Sequence, residues 1–382
     1  MRTLQLLPLF LALSMPLYAA EDRYFDLKSA PESLVSEYVD GEGLEKLAGI
    51  KRVVVPQFRI EFQTRAESTG SNNSAYVNLG GVDDALMQRL TDQAYTVFVK
   101  EMVAKGVEVI GPDKLAEVPE YEPVLRVGKP SGETLETKDS ISRFFAPSGG
   151  RVYQLLRRTD KDRQGFGSGF ATGFADMQKE IPKAELALAQ KYGAPNLKVL
   201  LTVSPARVKA GAKAGGGLIG AAVLMLSSAE VKPGLAVTEE SRLVFRSANH
   251  SENDFKMFGG KSFFGSKVRD FTEEGDSALY LKQDVRVVDA ISYKEMQDTT
   301  SGYNKVSNAL APVMALGLGV NGGKHSEYTI EADPALFEQV AGAEILAANR
   351  MLIARFRQAA DGVNVGSVKS QISDGGESSS LF

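Results

Sequence analysis

The sequence predicts an α/β (α+β) fold in which helices flank a mixed β-sheet. Three observations predict it: a strand-like alternation over 51–64, an amphipathic helical repeat near 83–105 and a second one near 334–357. A short apolar run over 107–110 follows the first helix, so strand, helix and strand come in succession. That order is typical of a crossover unit, which is right-handed when both strands belong to one sheet.

The first predicted strand alternates between apolar and polar side chains. Phe58, Ile60 and Phe62 are separated by single polar residues. A period of two is expected where one face of a strand is buried and the other is not. The stretch 64–81 that follows is rich in Ser, Asn and Gly, and is predicted to be an exposed loop.

Both helices carry signals at their ends as well as apolar stripes. Asp83 stands in the first turn of the first helix, and Gly106 is expected just beyond its last turn. Asp333 and Pro334 are typical of an N-cap followed by a first helical residue. The inward stripe of this second helix is expected to start at Leu336.

Further elements are predicted from shorter patterns. Four additional strands are expected at 197–203, 205–214, 235–245 and 279–291. A helix is predicted over about 169–192, with Pro182 either kinking it or starting it afresh. No firm element is predicted over 112–164, because Pro, Gly and charged residues are scattered there.

The chain is expected to contain a leader, an arm, a globular region and a tail. An export signal is predicted over 1–20, where a positive charge precedes an apolar run and small residues. An N-terminal arm is expected over 21–48 and a globular region over 49–360, with a division into two subdomains near 112–164 left open. The Gly- and Ser-rich segment 361–382 is expected to be a disordered tail.

Composition excludes several classes of protein. The 382 residues include no cysteine, which excludes disulfides, thiolate metal sites and lipid attachment at a cysteine. A net charge of −4 without a basic block argues against nucleic acid as a partner. The leader predicts a periplasmic or secreted protein, with association to an outer membrane left open.

The sequence does not indicate a cofactor or a catalytic motif. The tract 215–220 matches the dinucleotide pattern G-x-G-x-x-G, but a basic alternating segment precedes it, so a turn is favoured. The patterns G-x-S-x-G, H-E-x-x-H and S-x-x-K do not occur. We therefore expect no cofactor and no enzymatic activity.

The two histidines occur in identical His-Ser-Glu triplets. On a strand, residues two apart point to the same face, and zinc accepts imidazole and carboxylate ligands. Both triplets lie in stretches that are predicted to be polar loops, so coincidence is favoured over a metal site. The candidate ligands are His250, Glu252, His325 and Glu327.

Two uncharged Gly/Ala-rich runs, 214–229 and 308–323, have no obvious place in the fold. Each is shorter than the ~18 apolar residues of a spanning helix, so core burial and contact with a membrane or a partner both stay open. The segment 205–228 is the candidate contact element, because a basic alternating face adjoins an apolar tract. Its candidate contact residues are Arg207, Lys209, Lys213, Leu218 and Ile219.

The order of these features resembles the periplasmic domain of the curli secretion channel family and the N-terminal domain of the Tol-system translocation protein. The resemblance is topological and covers 51–110 and 197–217. Members of the channel family are anchored through a cysteine, which this chain lacks, so pore formation is not expected. The resemblance assigns no functional residue to this sequence.

The sequence thus predicts a non-enzymatic, exported cell-envelope protein. It is expected to bind envelope proteins or a membrane surface, and a homo-oligomer is possible, in assembly, secretion or surface organisation. Two alternatives are left open: a periplasmic carrier of a lipid or small ligand, and a hydrolase without recognised motifs.

Overall fold

The computed structural model describes most of the globular region. The described residues are 29–69, 74–136, 140–153, 173–209, 230–247, 276–287, 293–302, 304–305 and 325–363. The predicted leader, the tract 215–220, both Gly/Ala-rich runs and nearly all of the predicted tail lie outside them.

Helices occur at the start, in the middle and at the end of the described chain. The six α-helices among the described residues are Val35–Tyr38 (α1), Asp84–Ala104 (α2), Pro112–Leu115 (α3), Glu122–Val127 (α4), Gly173–Tyr192 (α5) and Pro334–Ala360 (α6). Short 3-10 turns are formed by Pro31–Leu34, Leu44–Leu47 and Pro119–Tyr121.

Twelve strands lie in the described part of the chain. They are Val39–Glu42 (β1), Arg52–Thr69 (β2), Ser74–Gly80 (β3), Glu108–Ile110 (β4), Glu133–Glu136 (β5), Ser140–Phe145 (β6), Asn196–Lys209 (β7), Glu230–Val237 (β8), Arg242–Arg246 (β9), Ser277–Leu281 (β10), Tyr293–Asp298 (β11) and His325–Ala332 (β12).

These strands form one mixed sheet, which confirms the predicted α/β class. The main order is β1-β10-β9-β7-β2-β3-β12-β11, with β4, β5, β6 and β8 pairing off this path. The two long central strands, β2 and β7, are parallel, and β4 is also parallel to β2. The predicted strand–helix–strand unit β2–α2–β4 therefore returns to the same sheet.

The two predicted helices pack on one face of the sheet and form the main core with it. Phe58 of β2 meets Phe98 of α2 with ring centroids 5.5 Å apart, and both side chains are fully buried. The predicted end signals are also present. The Asp83 carboxylate accepts a hydrogen bond from the Leu86 amide at 2.8 Å, and Gly106 has a φ of 77°.

The expected inward stripe of α6 is wrong at its start, although Ala347 and Met351, which belong to the same stripe, are buried. Leu336 is 41% exposed, whereas Phe337, Ala341 and Ile345 are buried. Helix α6 contacts α1, α2 and several strands, so it is buried on more than one side. A helix covered in this way has no single apolar stripe that could fix its orientation.

Three boundary predictions are wrong. The segment 64–81 is not a loop, because β2 continues to Thr69 and pairs with β3. The Ser and Thr residues of this segment are compatible with a strand, since the backbone makes the hydrogen bonds of the sheet. The segment 112–164 contains α3, α4, β5 and β6. The strand predicted over 235–245 is two strands, separated by a turn in which the Ser241 amide donates to the Thr238 carbonyl.

The opposite face of the sheet carries buried polar side chains. Gln57, Arg59 and Glu61 alternate with the apolar residues of β2, and each is at most 3% exposed. The expectation of a half-buried strand is therefore wrong: β2 is buried on both faces. A second apolar cluster lies on this side, with Tyr121, Tyr153 and Ile181 among its fully buried members.

Beyond the main core, the sheet separates into two layers at one end. Residues 203–209 of β7 pair with β8, whereas residues 65–69 of β2 pair with β3. A small cluster of buried residues holds the two layers together: Val77, Ala206 and Ile330. We call this end, formed by 65–69, β3, 203–209, β8, β11 and β12, the strand extension.

Candidate functional site

The strand extension is where both uncharged Gly/Ala-rich runs join the sheet. Lys209 and Glu230 are directly paired, and the chain between them contains the run 214–229. His325 begins β12, immediately after the run 308–323, and is paired with Ser74. β7 runs parallel to β2, the end of β2 pairs with the start of β3, and β12 begins beside Ser74, so both junctions lie at the same end of the sheet.

Two of the five candidate contact residues lie in the strand extension. Arg207 is partly exposed on β7 and stands opposite Lys232 of β8 in the register. Lys209 is the last residue of β7. Lys213, Leu218 and Ile219 lie outside the described residues, so the structure brings only the first part of the candidate element into the sheet.

The second His-Ser-Glu triplet is a strand rather than the predicted polar loop. His325 and Glu327 start β12 and share one face. A hydrogen bond of 2.7 Å joins His325 Nδ1 and Ser74 Oγ, and Glu327 Oε1 accepts one of 3.0 Å from the Asn78 side-chain Nδ2. His250 and Glu252 lie outside the described residues.

These contacts give the triplet a role in joining β12 to β3. Among the described residues there is no group of three or more His, Cys, Asp or Glu side chains that could hold a metal ion. His325 and Glu327 therefore do not form a three-ligand site with any described neighbour.

A buried ionic cluster lies on the polar face of the sheet, at the start of β7. Glu185 of α5 is fully buried, with its two carboxylate oxygens directed at two cations. Oε1 lies 3.1 Å from Lys198 Nζ and accepts a hydrogen bond of 3.0 Å from the Tyr153 hydroxyl. Oε2 accepts one of 3.0 Å from Arg246 Nη1.

The cluster is completed by contacts to the backbone. The Tyr153 carbonyl oxygen accepts hydrogen bonds from Gln57 Nε2 at 2.7 Å and from Arg59 Nη1 at 2.9 Å. The Asn196 side-chain amide donates to the Glu185 carbonyl. Strands β2, β7 and β9 thus all hold α5 and the residues around Tyr153 through polar contacts. We call Glu185, Lys198, Arg246, Tyr153 and Arg59 the ionic cluster.

Burial dominates the proton equilibria of this cluster. Loss of hydration lowers the pKa of Lys198 to about 8, although the Glu185 carboxylate acts in the opposite direction, and nearby Arg246 lowers it further. Burial and the same carboxylate raise the pKa of the Tyr153 phenol well above its ordinary value. A lysine whose pKa is close to neutrality resembles a catalytic base, but Lys198 is only 2% exposed and its ammonium faces Glu185.

The ionic cluster was not predicted from the sequence. Lys198 interrupts a run that is predicted as a plain apolar strand, and Arg59 occupies the side of β2 that is predicted to face solvent. The one indication in the sequence is a basic residue inside each of two adjacent strands. It does not predict an ion pair by itself, because the partner, Glu185, lies on a helix whose position no local pattern reveals.

Comparisons with known proteins do not assign a family. No family model, curated protein or solved structure matches this chain. Within the described ranges, the helices are all too short or too polar to cross a membrane.

Proposed function

We propose that this protein is an exported, non-enzymatic component of the cell envelope that binds an envelope protein or a membrane surface through the strand extension. The observation that carries the proposal is that the described strand ends next to two uncharged apolar runs lie at one end of the sheet. These strand ends, Lys209, Glu230 and His325, belong to the strand extension. They are far apart in the sequence, and each of them leads into or follows an apolar run.

Exposed apolar patches larger than a few hundred Å² are rare on monomeric proteins and mark binding surfaces. The cluster that joins the two layers of the strand extension, Val77, Ala206 and Ile330, is small compared with the main core. The basic residues that begin the candidate element favour an anionic lipid surface or an acidic partner.

The export part of the proposal depends on the sequence. A positive charge, an apolar run and small residues are arranged over 1–20 as in a cleaved signal. The lack of cysteine is compatible with an oxidising compartment, because no thiol is left to be oxidised there.

The register allows a sharp test of the contact element. Because Lys209 and Glu230 are directly opposite in an antiparallel pair, residues 210–229 can be replaced by Asn-Gly, the preferred two-residue hairpin turn. We expect the variant to fold, with the urea midpoint of the full chain. In fractionated cells, it should move from the membrane or complex-bound fraction to the free soluble fraction.

A deletion of equal length provides the matched control. Residues 251–270 connect β9 to β10 at the other end of the sheet, where Arg246 is paired with Asn196. Removing them should leave the fractionation unchanged. If the Asn-Gly variant is folded and still fractionates like the unaltered protein, the strand extension is not the binding surface and the proposal fails.

A further inference from the structure

A segment that follows β10 is attached to β8 and to α6. Strand β10 is next to one edge of the main sheet and β11 forms the other edge, and the chain from 282 onwards connects them. We call the described part of this connection, 282–287, the strap. Its path is fixed by backbone pairing, since Val285 and Val237 exchange hydrogen bonds of 2.8 and 3.0 Å.

The last described residue of the strap is held by a buried carboxyl group of α6. The Val287 amide donates to Glu344 Oε1 at 3.0 Å. Glu344 is fully buried, and its second oxygen, Oε2, has no hydrogen-bond partner among the described residues. Burial of a carboxyl group in this position costs much less free energy when the group is neutral than when it is ionised.

The surrounding charges do not compensate for an ionised Glu344. Arg286 and Asp284, both in the strap, are the charged groups that act on it. Arg286 lies 3.6 Å from the Asp284 carboxylate and also donates to the Gly234 carbonyl. Burial raises the pKa of Glu344 to about 8, and Asp284 adds to the rise, whereas the Val287 amide and Arg286 oppose it.

We propose that Glu344 is a pH-sensitive anchor of the strap: the neutral carboxyl group holds 284–287 against α6, and its ionisation releases this segment to water. The direction of the pH effect is set by the difference in bound protons between the open and the closed strap. When the strap is open, Glu344 is hydrated and ionises near its ordinary pKa of 4.5. Between that pH and about 8 the open form therefore loses a proton that the closed form keeps, so rising pH favours opening by tenfold per pH unit.

Hydrogen exchange of the full-length protein tests this directly. Amide protection at 285–287, corrected for intrinsic exchange rates, should fall about tenfold per pH unit between pH 5 and pH 8. In Glu344→Gln, which keeps an oxygen for the Val287 amide but cannot ionise, protection should not depend on pH. The exposed Glu338→Gln on the same helix should behave like the unaltered protein.

A second variant keeps the test decisive if Glu344→Gln does not fold. Asp284→Asn removes the negative charge that raises the pKa of Glu344, so protection should stop falling at a lower pH than in the unaltered protein. The proposal is overturned if protection of 285–287 does not depend on pH. It is equally overturned if amides around Phe98 in α2 show the same dependence, because ionisation would then be linked to unfolding of the whole core.

Discussion

Replacing Glu185 by Gln should cost about 3–5 kcal/mol of unfolding free energy at pH 7, the usual penalty for breaking a buried ion pair from one side. The carboxylate of Glu185 is the hub of the ionic cluster: it lies 3.1 Å from Lys198 Nζ and 3.0 Å from Arg246 Nη1. Glutamine has nearly the same shape, so the substitution removes the charge without leaving a cavity. Both cations then remain in a site with little water.

The two cations contribute differently to this loss. Lys198 can avoid being an unpaired buried charge by releasing its proton. Because its pKa is already about 8 in the folded protein, its additional cost at pH 7 is limited to roughly 1.4 kcal/mol, the value of one pH unit. Arg246 cannot lose its proton. Two unit charges about 4 Å apart attract each other by about 4 kcal/mol at an effective dielectric constant of 20, so Arg246 accounts for most of the loss.

Urea denaturation followed by circular dichroism at pH 7.0 and 9.5 separates the contributions of Lys198 and Arg246 to this loss. Because the pKa of Lys198 in the folded protein is about 8, below its ordinary 10.5, its charge destabilises the protein below pH 8 and this cost is relieved as pH rises from 8 towards 10.5. At pH 9.5 Lys198 is mostly neutral in the folded protein, so it no longer needs the Glu185 carboxylate. The deficit of Glu185→Gln should therefore be smaller at pH 9.5 by roughly 1.4 kcal/mol.

The control for Glu185→Gln is on the same helix. Glu180 forms an ion pair with Arg126 whose side chains are 39% and 54% exposed, and Glu180→Gln should cost less than about 1 kcal/mol. Lys198→Met combined with Glu185→Gln should cost less than the sum of the single changes, because the two sites are in contact. A loss below about 1 kcal/mol for Glu185→Gln at pH 7 would refute the assignment of Glu185 as the hub.

Three smaller perturbations test other parts of the fold by the same denaturation assay. Asp333→Ala should cost about 0.5–2 kcal/mol, because the side chain caps α6 through the amides of Ala335 and Leu336; Asp333→Asn should restore most of it, and equal losses would contradict the capping role. Asn349→Leu should stabilise the protein by about 1–3 kcal/mol, since both polar atoms of this buried side chain lack a partner among the described residues; a loss would mean that they are satisfied. Gly106→Ala should cost about 1 kcal/mol through its φ of 77° alone, because no atom lies within 4 Å of the added methyl group; a neutral effect would show that the backbone adapts.

Local patterns predicted the helices and the central strands because these elements carry their own signals. Asp83 and Gly106 mark the two ends of α2 irrespective of what surrounds it, and the alternation in β2 is a property of the chain itself. The class of the fold followed from these elements. The strand extension did not, because 65–69 is polar and the Ser, Asn and Gly residues around 70–74 are typical of a loop, although 65–69 pairs with β3. Backbone pairing does not require particular side chains, so composition predicts it poorly.

The orientation of elements required tertiary information. Leu336 is predicted to face inward and is exposed, because α6 is covered from several sides and its first turn presents Phe337 to the core instead. Arg59 was expected at the surface and is buried, because α5 and the residues around Tyr153 cover the second face of β2. In both cases the deciding neighbour is distant in the sequence.

The arrangement of β7 separates the parts of this molecule that give stability from the part that we propose binds. Lys198, in the ionic cluster, and Lys209, at the junction with the apolar run, belong to the same strand. Eleven residues of strand correspond to about 36 Å. Changes at such a distance with no shared contacts usually act independently. The buried charges hold α5 to one end of the sheet, whereas the strand extension lies at the other end, where binding of a partner would not disturb these charges.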